Sequence, residues 1–543
     1  MRSVLFLTCA VRAGLLLAQV PGLSDLPPGT RGWECVPGVV RNDGSESFCV
    51  EVFTGGAVSS VTLDLVAPEL VPPSPGPIEL RDDGEYPDRV TGDFVYTAGP
   101  FRCRRGAPAC AYYMDDMTSP AGLDTIAVGQ VSIVAGDLTE TFLVGPSVGV
   151  LRADVPAVIT RQVADNLAVS PHLVNVRTRN WASQGLLRQA GPGPAGITQT
   201  IYRHLPDRYD FLVFFTTNRL EQVPSTASEN FVAGRHVSVR VDFTGTGRPV
   251  MNAGSIFGSP DRLLGIVLLD AYERGIYGAN VTHELLHTWG GWLDTELGLT
   301  DASKHYLPRS SVGSLLGGQR WFDRGDGTFS LDCSEGRNGA RQASPLDLYL
   351  MGLIDASELA PLRVYSASSP LPLFRCDDVI ADVARTVTAS DIIARHGPRV
   401  PGPEAARRHF NIAFIADSRD RLLTPTEMTF YDLLAAHYAR PVPAGLPAPH
   451  VGFNWPPVTR FFGAGVTWST AVMPGDLDWD GTVGEQDFEI FAACAGGPGV
   501  DYRQFFPEGC PLLPDAGGYL PADFDADGDV DQTDFGVMQR MGG

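Results

Sequence analysis

Positive charge is scarce in this chain. Lys304 is the only lysine among 543 residues, and 41 basic against 63 acidic side chains leave a formal net charge of -22. Nucleic-acid affinity rests on clustered cations, so a DNA- or RNA-binding role is excluded. Long hydrophobic runs are lacking too: beyond the N-terminus no stretch reaches the roughly 18 apolar residues of a membrane span, which argues against an integral membrane protein. No C-x-x-C pair occurs among the nine cysteines, so a cysteine zinc cluster is not expected. Charged residues make up only 19 % of the chain, against 44 % hydrophobic ones, and 60 Gly and 43 Pro indicate many turns between packed elements.

What is present begins with an export signal. Arg2 is followed by an apolar run ending in Leu15-Leu16-Leu17-Ala18, the pattern of a secretory signal peptide over residues 1–18, so the mature protein is expected outside the cell or on its surface. Loss of Cys9 with the signal leaves eight cysteines in sequence-local couples: Cys35 with Cys49, Cys103 with Cys110, Cys333 with Cys376, Cys494 with Cys510. In an exported chain an even set predicts disulfides.

The length suggests three or four domains. Residues 33–150 carry short β-type runs (Phe48–Phe53, Val58–Val66, Thr125–Val134, Glu140–Val144) separated by turns, which predicts an antiparallel β-sandwich. Residues 151–440 mix helix and strand patterns: helical apolar spacing over Pro156–Leu167, and strand-length apolar runs at Tyr209–Phe215 and Gly265–Leu269, an α+β or α/β unit. A Pro-rich linker and bridging segment covers 441–472, and an acidic module covers 473–543. Within the first unit, Leu80 to Asp88 running on to Gly92-Asp93-Phe94 resembles the acidic hairpin of immunoglobulin-like modules of bacterial secreted proteins, with Phe94 where those modules usually place Gly. The resemblance implies the fold class. Asp82, Asp83, Asp88 and Asp93 could hold calcium, but solvated turn carboxylates are the preferred reading.

The chemistry concentrates in Asn280-Val-Thr-His-Glu-Leu-Leu-His-Thr-Trp-Gly290. His283 and His287, four apart, share one face of a helix and can grip one metal ion, while Glu284 can act as general base on a metal-activated water without ligating. Gly290-Gly291 ends the helix and lets the chain reverse, so that Asp294 can return as third ligand; Glu296, His305 and Asp347 are its rivals. The residues His283, Glu284, His287, Gly291 and Asp294 make the segment similar to the metzincin side of the zinc metallopeptidases, closest to the H-E-x-x-H-x-x-x-G-x-x-D variant of IgA-cleaving metallopeptidases. That resemblance implies a zincin-like domain, with a zinc helix under a twisted sheet, and peptide-bond hydrolysis. Downstream, Ser344-Pro-Leu-Asp-Leu-Tyr-Leu-Met-Gly352 offers Met351 for a methionine turn or for the core, and Tyr349 as an oxyanion donor.

In the acidic module Asp476, Asp478, Asp480 and Asp487 hold positions 1, 3, 5 and 12 of a calcium loop around Gly481, with Thr482 at position 7. The register recurs at Asp523, Asp525, Asp527, Asp529 and Asp534, and similar apolar spacing follows each loop: Phe488, Ile490, Phe491 against Phe535, Val537, Met538. Asp at position 12 and one exit helix per loop make the pair resemble a dockerin, which implies calcium binding, an α-helical module and a cohesin-like docking partner. The repeat distance, Asp476 to Asp523, is longer than usual for that family. The chain is thus expected to be a multidomain secreted zinc endopeptidase acting on a protein or peptide substrate and requiring Zn2+ and Ca2+. The alternative is a non-catalytic adhesion or scaffold protein with a degenerate metallopeptidase domain.

Overall fold

A computed structural model describes the chain from residue 30 to residue 541, apart from 104–122, 179–194, 223–233, 270–279, 332–342, 367–379, 440–465, 513–519 and shorter gaps of up to four residues, among them 476, 479–482 and 524–526. The expected signal peptide lies outside the described residues, as do Cys110, Cys333 and Cys376. Among the described residues no helix is long and apolar enough to cross a membrane. The molecule is a mixed α/β protein built mostly of strands in several sheets.

Residues 30–151 form layered sheets around one apolar core. Along Ser60–Leu65, Val61 and Leu63 are buried while Thr62 and Asp64 point outward, the period-2 pattern of a half-buried strand. An antiparallel five-stranded sheet (order Arg219–Gln222, Thr30–Val36, Phe48–Phe53, Val95–Cys103, Leu70–Val71) and a four-stranded one containing Ser60–Leu65 and Gly129–Ala135 share that core with a smaller sheet through Ser147–Leu151. The expected run Thr125–Val134 is two strands, Leu123–Ala127 and Gly129–Ala135, in different sheets. The edge strand Arg219–Gln222 comes from the central part of the chain and pairs with Thr30–Trp33.

Cys35 and Cys49 are not bonded to each other. In the register of their strands Cys35 faces Val50 and Val36 faces Cys49, so the two thiols project from opposite sides of the sheet. Cys494–Cys510 is formed. The acidic hairpin turns on Asp82, whose carboxylate accepts the N–H groups of Gly92 (2.6 Å) and Phe94 (3.1 Å). Phe94 stands at φ 64°, a left-handed conformation in which glycine is far less strained.

The central sheet, with strands numbered in chain order, is β1 (Arg161–Ala164), β2 (Leu167–Val169), β3 (Leu173–Arg177), β4 (Phe211–Thr216), β5 (Gly234–Ser238), β6 (Gly265–Leu269), β7 (His409–Ser418) and β8 (Thr467–Ser469). Its path is β1-β2-β3-β7-β4-β6-β5, with β8 beside β7; β3, β7, β4 and β6 run parallel and β5 closes the edge antiparallel to β6. Strand β4 is buried along its whole length, as a parallel strand covered on both faces requires. Phe211, Val213 and Phe215 face one core with α2 (Asn280–Leu286) and α5 (Pro425–Ala439); Leu212 and Phe214 face a second core with α1 (Ala195–Tyr202). Between α2 and α5 the chain forms α3 (Pro345–Met351) and α4 (Ala389–His396), and the acidic module contains α6 (Glu485–Cys494) and α7 (Gln532–Met541).

The helix expected over Pro156–Leu167 is instead the start of the β1–β2 hairpin, in which Arg161 pairs with Val169. Asp165-Asn166 forms its turn, and both residue types favour tight turns by hydrogen-bonding nearby backbone. That local chemistry, together with pairing of β2 onto β3, overrides the apolar spacing.

Candidate metal centre

Helix α2 lies against β5 and β6, with Val281, Leu285 and Leu286 in the core and Trp289, just beyond its end, stacked edge-on to Phe211. The apolar side fixes the rotation of the helix, and His283 and His287 therefore share the opposite face, their ring centroids 5.0 Å apart. His305 completes a near-equilateral triangle, 5.1 Å from His283 and 5.0 Å from His287. One ligand atom from each of the three lies within 4.8 Å of the others.

Hydrogen bonds orient two of the rings. His283 Nδ1 is 2.9 Å from the Leu315 carbonyl, and His305 Nδ1 is 2.9 Å from the Ser303 carbonyl. A carbonyl can only accept, so each Nδ1 carries the proton and each Nε2 keeps its lone pair. Those two Nε2 atoms lie 3.0 Å apart. Two nitrogens at that distance need a proton or a metal cation between them, and carbonyl-braced imidazoles are the usual surroundings of zinc-ligating histidines. The donor set therefore fits a divalent transition metal such as zinc. His287 is buried, and burial with the neighbouring His283 holds its ring well below the ordinary histidine range, neutral as a ligand must be.

Glu284 reaches toward the edge strand β5. It is buried, accepts the backbone N–H of His236 on β5, and is pushed up to about 8 by burial. Its carboxylate lies over Gly234, where an added Cβ would come within 2.8 Å of Oε1. Beyond α2, Arg248 donates to the Thr288 carbonyl (2.6 Å) and stacks on Trp292, whose Nε1 donates to the His287 carbonyl (2.6 Å). These bonds satisfy carbonyls that a helix end leaves without partners.

No family model, curated protein or solved structure matches this chain.

The reversal expected at Gly290-Gly291 is present, with Gly291 at φ 82° and packed against the Lys304 carbonyl. It does not bring Asp294 to the histidines. Asp294 caps the short turn Thr295–Leu297 and accepts Arg395 Nε of α4 at 2.7 Å, an exposed ion pair in which Glu296 also takes part. His305 takes the third position instead. The chain returns through a turn braced by Asp301, whose Oδ1 accepts the N–H of Ser303 (2.8 Å) and of His305 (3.3 Å), with Lys304 at φ 68°. Asp301-x-Ser303 just before a histidine is the local signal that could have indicated it.

Tyr349 is buried on α3 beside Arg399, and burial raises its hydroxyl above the ordinary tyrosine range. Met351 ends α3 within the core, its carbonyl taken by Arg399. Asp347 completes the capping box of α3 by accepting the N–H of the cap residue Ser344, and it accepts the Tyr306 hydroxyl. Gly234, the His236 backbone, Arg248 and Tyr306 have no motif of their own, and only the folded chain brings them to the centre.

In the acidic module Asp476, Asp480, Thr482 and Asp525 lie outside the described residues. Asp487 accepts the N–H groups of Asp478 (3.0 Å) and Gly484 (2.6 Å), tying the start of the first loop to the N-terminus of α6. In the second loop Asp529, Asp531 and Asp534 bring carboxylate oxygens within 4.8 Å of one another, while Asp523 accepts from Tyr502 Oη (2.8 Å) and from the N–H groups of Gly528 (3.0 Å) and Asp527 (3.2 Å). Asp531 is an addition to the expected ligand set. The exit helices meet through Phe488 and Phe491 against Phe535, at centroid distances of 5.9 and 5.7 Å.

Proposed function

We propose that this chain is a secreted zinc-dependent endopeptidase with a calcium-binding C-terminal module. The observation that carries the reading is the convergence of His283, His287 and His305 with a buried Glu284 beside them on the same helix. His283, His287 and His305 would hold the zinc, replacing the expected set with Asp294. Zinc bound there would supply Lewis acidity and a water ionised near neutral pH. Glu284 takes up a proton from the attacking water and passes it to the leaving amine. The His236 N–H and Gly234 keep that carboxylate in place. Tyr349, deep beside Arg399, has no supporting contact as an oxyanion donor.

The finer domain readings belong to the same proposal: an immunoglobulin-like sandwich at residues 33–150, a zincin-like central unit and a dockerin-like tail whose partner is a cohesin-like domain. The paired exit helices and the recurrent acidic register support calcium at both loops.

Peptide hydrolysis that a chelator abolishes and zinc restores tests the reading. Glu284→Gln should retain one zinc per chain while hydrolysis falls by about 10²–10⁴-fold, the usual contribution of a general base. Near wild-type turnover by that variant would remove the assignment. Stoichiometric zinc without hydrolysis of any peptide would favour the non-catalytic adhesion reading.

A further inference from the structure

The residues around α3 take no part in the hydrolytic chemistry, yet they reach the metal centre. Asp347 is wholly buried, and its Oδ1 accepts the Tyr306 hydroxyl at 2.8 Å, while its Oδ2 accepts both the N–H and the hydroxyl of Ser344 at 2.7 Å. Tyr306 is equally buried and directly follows His305. Its backbone N–H donates to the Leu316 carbonyl (2.9 Å) and its own carbonyl accepts the Gly318 N–H (3.0 Å). The Leu315 carbonyl beside that contact is the group that orients His283. The bridge also runs beneath the end of the metal helix: a Cβ added at Gly290 would stand 3.0 Å from Tyr306 Oη and 3.2 Å from Asp347 Oδ1.

We propose that the buried Tyr306–Asp347 hydrogen bond is the positioning device that holds His305, and through residues 315–318 His283, in metal-ligating geometry. The inference rests on the reading of the three histidines as a zinc centre. His305 comes from a turn with an exposed Ser303 and a left-handed Lys304, and local bonds alone leave such a turn free to swing. A phenol fixed in the core one residue later removes that freedom. Burying a carboxylate is costly, and the donors at Asp347, the hydroxyls of Tyr306, Ser344 and Ser314 and the Ser344 N–H, offset that cost together.

The test uses the full chain and zinc itself, with affinity measured by chelator competition and geometry by the visible absorption of the cobalt-substituted protein. Tyr306→Phe should weaken zinc about 10–100-fold, as loss of an outer partner to a ligand does, and alter the cobalt spectrum with circular dichroism unchanged. Combining it with His305→Ala should cost clearly less than the product of the two single losses, because part of what Tyr306→Phe removes is the placement of His305, and only its hold on His283 remains to be lost. Losses that multiply, or a cobalt spectrum identical to wild type in Tyr306→Phe, would make the bridge merely structural and overturn the inference. Should Tyr306→Phe fail to fold, Asp347→Asn enters the same cycle with the same two outcomes. A wild-type protein that binds no zinc, or His305→Ala binding it as wild type does, would defeat the metal reading itself.

Discussion

At the scale of single residues, His305 and Asp294 exchange the roles that spacing assigns them. Asp294 is occupied by Arg395 and the turn it caps, whereas His305 brings its Nε2 to within 3.0 Å of His283 Nε2. Asp294→Ala should therefore leave zinc affinity within about twofold of wild type, while His305→Ala should lower it by at least about 100-fold, both read by chelator competition. The opposite order would restore the aspartate as ligand. Gly234 is a second position to probe. A methyl there meets Glu284 Oε1 at 2.8 Å, so Gly234→Ala should reduce hydrolysis with zinc content unchanged; equal turnover in a steady-state assay would show that Glu284 has room to spare. The pair His283–His287 and its Glu284 were legible because one helical turn sets their relation. His305 lies farther along the chain, and its place depends on carbonyls of residues 303 and 315, which no periodicity encodes.

Among the elements, strands with a simple burial pattern could be read directly. Gly265–Leu269 is a strand with the bounds expected, and the fully buried β4 begins two residues later than the pattern suggested. The β1–β2 hairpin could not be read this way, because the turn chemistry of Asp165-Asn166 and pairing with β3 outweigh a helix-like spacing of apolar residues. The acidic module shows what its long repeat contains. The segment closed by Cys494–Cys510 packs onto the second loop: Gly499 N–H donates to Asp529, Tyr502 N–H to the Gly528 carbonyl, and Tyr502 Oη to Asp523. Tyr502 thus fixes the first carboxylate of that loop. Tyr502→Phe should weaken calcium at one of two sites by about tenfold or more, resolved by calorimetry on the full chain, with the other site unaffected. Uniform weakening at both sites, or none, would separate the insert from calcium binding.

Across the whole molecule, the layered sheets of residues 30–151 and the central sheet meet at a buried charge cluster. Arg419, just past β7, pairs with Glu34 and Glu51 from two adjacent strands of the five-stranded sheet and lies over the Phe53 ring at 4.7 Å. Two carboxylates face that guanidinium, and burial, opposed by Arg419, pushes Glu34 up to about 8 from an ordinary 4.5. The folded protein thus binds more protons than the unfolded chain between those values, so stability falls as pH rises from about 4.5 to about 8. Glu34→Gln, which keeps a neutral side chain at every pH, should raise the melting temperature more at pH 8 than at pH 5. A shift independent of pH would mean that the pair with Arg419 stays ionised throughout. Neither the cluster nor the strand exchange nearby is visible in sequence, because both join residues from distant parts of the chain.

That exchanged strand sets a limit on dissection. Arg219–Gln222 covers the open edge of Thr30–Val36. A recombinant piece ending near residue 150 would leave the backbone of that strand bare, with Trp33 beside it, ready to recruit the same strand from a second molecule. Such a fragment would pair edge to edge as a dimer, whereas one that also carries residues 219–222 would have its own strand to fill the gap.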